Sequence, residues 1–138
     1  MDSLWFSKIF NLVYTKVKKQ MIANLNCNLN FTSGGVNDTP SKFPTVYIAE
    51  LPGVEIGRDI NNQDINAIEE NIRIFVYSNK GQTECKKIMM EAVLQMKALR
   101  FNITAMPLFS QNGNIVNGVA TFNRVVGRGD TDMVIETK

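Results

Sequence analysis

An α+β fold, a mainly antiparallel β-sheet flanked by two α-helices, is what this sequence predicts, and three observations carry the prediction. Apolar residues recur with a helical period in two separated stretches, one from Trp5 and one from Thr83. Elsewhere apolar and polar residues alternate in short runs, the period of a half-buried strand. Turn formers punctuate those runs, Ser78-Asn79-Lys80-Gly81 and Gln111-Asn112-Gly113-Asn114 among them. The expected order is α-β-β-β-α-β-β, with four to six strands. A chain of 138 residues makes one domain over 1–138, large enough for a single core.

The first helix is expected to begin after the cap types Asp2 and Ser3. Trp5, Ile9, Val13, Val17 and Met21 follow at i, i+4, with Phe6, Phe10 and Tyr14 as a neighbouring row and Lys8, Lys16, Lys18 and Lys19 opposite. Packing on a sheet explains this pattern; a membrane-surface helix is the alternative that lysines and aromatics allow. Between Leu25 and Phe31, Leu25, Cys27, Leu29 and Phe31 alternate with four asparagines, which predicts a weak first strand. Thr32 to Ser41 reads as a loop. Phe43 to Leu51 is the second strand, ended by Pro52-Gly53.

Ile68 to Tyr77 is the third strand, with Ile72, Ile74 and Val76 on one face and Arg73, Phe75 and Tyr77 on the other, paired as a hairpin with the second. In the second helix Cys85, Ile88, Met89, Ala92, Met96 and Leu99 hold the 3.6 period, and Glu84 complements the helix dipole. Asn102 to Ser110 is a fourth strand with Ile103, Ala105, Pro107 and Phe109 on one face. Pro107 removes a ladder donor, so this strand belongs at an edge or carries a bulge there. Asn112-Gly113 signals a hairpin into Ile115 to Val126, with Ala120, Phe122, Arg124 and Val126 sharing a face. Residues 127–138 read as a mobile tail.

Composition narrows the function. The chain has no histidine, so Ser-His-Asp and Cys-His catalysis are out and the commonest zinc ligand is missing. Cys27 and Cys85 have no metal-ligand spacing and are expected reduced, as small hydrophobes in a cytosolic chain. No phosphate-cradling glycine motif and no GxSxG occurs. Asp59 to Asp64 lacks EF-hand ligand spacing, so a metal loop is disfavoured against a solvated loop or protein contact. Arg128-Gly129-Asp130 matches an integrin-recognition tripeptide but stands without a secretion signal. Neither catalytic residues, nor metal ligands, nor a cofactor site is expected.

The net charge is only +2, yet it is unevenly spread. From Glu50 to Glu70 six acids face one arginine, a local −5; from Asn71 to Arg128 eight basic residues face Glu84 and Glu91, a local +6. If the acidic stretch of one copy meets the basic surface of the next, the contact is heterologous and closes into a ring. The candidate interface residues are Glu55, Asp59 and Asp64 against Lys86, Lys87, Arg124 and Arg128. Each such rim pair contributes about 0–1 kcal/mol, so apolar contact must supply most of the association. In a different class, basic residues near Phe75, Tyr77 and Phe122 suggest a stacking platform for single-stranded nucleic acid.

Strand Glu70-Asn71-Ile72-Arg73-Ile74-Phe75-Val76-Tyr77-Ser78-Asn79 leads into an amphipathic helix closing on Met96-Lys97-Ala98-Leu99-Arg100-Phe101, then a strand, then the hydrophobic and basic run Val119 to Arg128. That order, after an N-terminal helix and a hairpin, resembles the tail terminator (tail completion, minor tail) proteins of long-tailed bacteriophages over about residues 5–128. The family's Leu-Gly-Phe variant is Leu99-Arg100-Phe101 here. The resemblance implies a non-enzymatic virion protein, assembled in the host cytoplasm. It implies a homohexameric ring at the head-proximal end of the tail tube that ends tail polymerisation. The implied partners are further copies of itself, the tail tube protein and a connector or head-closure protein, with DNA passing through the lumen and no membrane. Another neck subunit is the alternative within the same class.

Overall fold

A computed structural model describes residues 8–25, 29–32, 44–56 and 67–127. The elements are α1 (Ile9–Leu25), β1 (Asn30–Thr32), β2 (Thr45–Ile56), β3 (Ala67–Ser78), α2 (Gln82–Ala98), β4 (Asn102–Asn112) and β5 (Ile115–Gly127). The order is α-β-β-β-α-β-β and the fold is α+β. The five strands lie in the order β1-β2-β3-β5-β4. Every pair is antiparallel except β1–β2.

Strict alternation in β3 organises the sheet. Ile72, Ile74 and Val76 are buried, and Arg73, Phe75 and Tyr77 face the other way. Its partners obey the same parity: Val46 and Ile48 on β2, and Val116, Ala120, Phe122 and Val126 on β5, join the same core. The helices close that face. Ile9, Val13, Val17 and Met21 of α1 are fully buried, as are Cys85, Met89, Ala92 and Met96 of α2. The helices run antiparallel: Leu25 at the end of α1 lines one surface hollow with Thr83 and Ile88 early in α2, while Lys16 and Val17 line another with Ala98 and Leu99.

Three expectations change. The helix does not give way to a strand at Leu25; it runs through Leu25, and β1 is only Asn30–Thr32. Half-buried Leu25 packs on the core, extending the apolar stripe, and asparagine is a poor strand former. What anchors β1 is Asn30, whose backbone N–H and side-chain Nδ2 both donate to the Pro44 carbonyl, at 3.0 and 3.1 Å. Nor does Pro52-Gly53 end β2. The strand continues to Ile56 across a register shift between Leu51 and Val54, and Asn71 Nδ2 donates to the Pro52 carbonyl at 3.1 Å. In β4, finally, the alternation breaks. Ala105 pairs with Thr121 and Leu108 with Val119 across two shifts, one on each side of Ala105, and Pro107 lies within the second. Pro107 therefore sits both on an edge strand and in a bulge. The Asp2–Ser3 cap, Trp5, Phe6, Cys27 and the 128–138 part of the tail lie outside the described residues.

The end of α2 explains one departure in the Leu99-Arg100-Phe101 segment. Arg100 has φ 67, the left-handed region. The Phe101 N–H donates to the Met96 carbonyl at 3.0 Å and the Arg100 N–H to the Lys97 carbonyl at 2.9 Å, which is a Schellman closure. Glycine takes that φ freely, whereas arginine carries a Cβ penalty. Gly113 has φ 64 at the first central position of the β4–β5 turn, as a type II′ hairpin requires.

Two substitutions test this account. Gly53→Ala places a Cβ 2.5 Å from the Glu69 carbonyl oxygen, so denaturant unfolding should show a loss of about 1–3 kcal/mol. Arg100→Gly should leave stability equal or higher, while Arg100→Val should be about 1–2 kcal/mol less stable than Arg100→Gly, because a branched Cβ is worst in the left-handed region.

Candidate functional site

Chemistry-bearing groups are sparse. Among the described residues no three His, Cys, Asp or Glu side chains gather as a metal site. Cys85 is buried and free, its Sγ 3.6 Å from the Val76 carbonyl oxygen, and burial pushes its thiol up to about 11. Such a thiol is no nucleophile near neutral pH. No described helix is long and apolar enough to cross a membrane.

The predicted interface residues separate. Lys86 and Lys87 are exposed on α2, and Lys86 Nζ lies 5.8 Å from the Phe109 ring centroid. Arg124 is not the rim cation the sequence suggested. It is 8% exposed, and one guanidinium nitrogen (Nη1) donates to the Leu99 carbonyl at 2.9 Å. Arg124 falls on the inward parity of β5, so its side chain reaches under the end of α2 and satisfies a terminal carbonyl there. For Glu55 only the backbone is described, paired with Ile68 in the β2–β3 ladder. Asp59, Asp64 and Arg128 lie outside the described residues.

The proposed stacking platform also divides. Phe122 is fully buried against the helices. Phe75 and Tyr77 are on the opposite sheet face, where Tyr47 joins them: Tyr47 and Phe75 stack at 5.4 Å, Phe75 and Tyr77 at 6.5 Å. Arg73 shares that face and its Nε donates to Thr121 Oγ1 at 3.2 Å. Both helices lie on the other side, and among the described residues no element covers this one.

Two features were not read from the sequence. The first is a ridge on α2. Met90 is 53% exposed and Leu94 58%; four residues apart, they share a face of the helix. Lys86, Lys87 and Lys97 surround them. The signal was available, because Met90 and Leu94 are apolar residues that fall outside the buried stripe. The second is a carboxyl pair. Glu70 lies on the inward face of β3, only 2% exposed, and its Oε2 has no hydrogen-bond partner. Burial, then a hydrogen bond and the charge of Glu50, raise its carboxyl from 4.5 to about 8, against the pull of the Asn71 backbone. A carboxyl-to-carboxyl hydrogen bond needs one proton, so the pair holds one. Arg124 stands directly across from Glu70 in the ladder.

The sequence matches no protein-family model, and no curated protein is significantly similar to it.

The carboxyl pair makes stability depend on pH. Folded Glu70 keeps its proton from about 4.5 up to about 8, where the unfolded chain has lost it. Folding therefore binds a proton in that window, and stability falls as pH rises through it. Melting curves from pH 5 to about 8.5 should show the decline, and Glu70→Gln, which keeps a donor without a titrating group, should flatten it. An unchanged slope in that variant would place the titration elsewhere.

Proposed function

We propose that this chain is a structural ring subunit of the virion in a long-tailed bacteriophage, ending the tail tube at its head-proximal end and offering the joining surface to the head. The reading rests on the element order and residue pattern shared with tail terminators. The observation that carries it is where apolar surface is left open. Met90 and Leu94 are exposed on the helix layer, and Met106 and Leu108 on the β4 edge. Two unlike apolar patches on one small domain suit a heterologous contact, in which one copy's first patch meets a different surface of the next. A lone catalytic domain has no need of either.

In solution the wild-type chain should assemble with concentration into closed, ring-shaped hexamers, seen by light scattering and negative-stain microscopy. A monomer at every concentration, or a two-fold dimer, would count against the ring. The Tyr47–Phe75–Tyr77 ladder beside Arg73 favours a second reading, a single-stranded nucleic-acid module. Its mark is salt-sensitive retention on single-stranded nucleic acid that Phe75→Ala abolishes.

A further inference from the structure

The helix layer carries six lysines within α1 and α2, Lys16, Lys18, Lys19, Lys86, Lys87 and Lys97, against Glu84 and Glu91. Both acids are engaged inside the fold. Glu84 accepts from the Ser78 hydroxyl at 2.5 Å, and Glu91 accepts from Asn24 at 2.9 Å and Gln95 at 2.7 Å. The outward face of this layer is thus almost purely cationic, and the Met90–Leu94 ridge stands among its lysines. An apolar centre with a charged rim is the anatomy of a protein contact. An anionic partner with its own apolar side chains is what fits it.

The same chain contains such a partner. Between Glu55 and Ile65 every acid is followed by an isoleucine: Glu55-Ile56, Asp59-Ile60 and Asp64-Ile65. Only Arg58 opposes those charges. The base of this segment is the far end of the β2–β3 hairpin, where Ile56 pairs with Ala67. The end of α2 lies level with Arg124, whose ladder partner is Glu70. From Glu70 the hairpin runs three more residues, about 10 Å, past the end of α2.

We propose that the Met90–Leu94 ridge, rimmed by Lys86, Lys87 and Lys97, is a docking surface for a second copy of this chain, which presents its acid-isoleucine segment. The proposal rests on the ring reading and gives that ring its heterologous contact. Leucine and methionine meet isoleucines at the centre, and lysines meet Glu55, Asp59 and Asp64 around it. Arg124, bound to Leu99, takes no part.

A charge exchange between two variants tests it, because only a contact between copies can be restored by mixing. One variant carries Lys87→Glu and Lys97→Glu; the other carries Asp59→Lys and Asp64→Lys. Lys87 and Lys97 are exposed, and both chains should keep the wild-type circular dichroism. Sedimentation at low salt should show each variant alone associating at least ~10-fold more weakly than wild type. An equimolar mixture should recover association, since each reversed ridge then meets a reversed segment. Leu94→Ser should weaken assembly at low and high salt alike. Three results would overturn the surface: reversals without effect on association, a mixture that stays dissociated, or a wild-type chain that never self-associates. A fall in melting temperature with no change in mass would also overturn it, by placing the contact within one chain. If the wild type forms rings and the reversals do nothing, this surface fails while the ring reading stands. If the exchange works in assemblies that are not rings, the ring reading fails instead.

Discussion

Everything in this domain follows from the burial of one sheet face only. In β3 the period-two pattern puts Ile72, Ile74 and Val76 under the helices. Because side-chain direction alternates, a slip of one residue would exchange the core set for Arg73, Phe75 and Tyr77. That penalty sets the register of both neighbours, β2 and β5. The helices then have no freedom either, since Ile9, Val13, Val17 and Met21 must land where the strand residues leave space.

The core is interrupted toward one end. Past Ile72 the inward positions become Glu70 on β3 and Arg124 on β5, with Glu50 beside them on β2. Arg124 and Glu70 stand opposite one another, yet Arg124 reaches the carbonyl of Leu99 and Glu70 engages Glu50. Each charge is thus used where the apolar layer is broken: one closes a helix end, the other ties the bulged strand to its neighbour. Apolar packing resumes past this junction, where Val126 is buried and Ile68 packs on the core.

Much of the fold could be read from the residues, because its long elements are strongly periodic. The buried row of α1, both faces of β3 and β5, and the Asn112-Gly113 hairpin all follow from spacing alone. What could not be read depends on partners distant in sequence. Pro52-Gly53 looks like a strand end until Asn71 is brought across to the Pro52 carbonyl. Leu25 looks like the start of a strand until α2 lies beside it. The candidate interface was legible as a charge imbalance, but only the fold distinguishes exposed Lys86 and Lys87 from buried Arg124. Exposed Met90 and Leu94 were legible too, as apolar residues outside the periodic stripe of α2.

The β4 edge has a consequence for how the molecule meets anything else. Its free backbone is interrupted twice, on either side of Ala105, and Pro107 supplies no N–H. An incoming strand therefore finds no continuous row of donors and acceptors to template it, while Met106 and Leu108 remain available above that broken ladder. Recognition at this edge is by shape, which saturates with one fitted partner, rather than by strand addition, which can repeat without end.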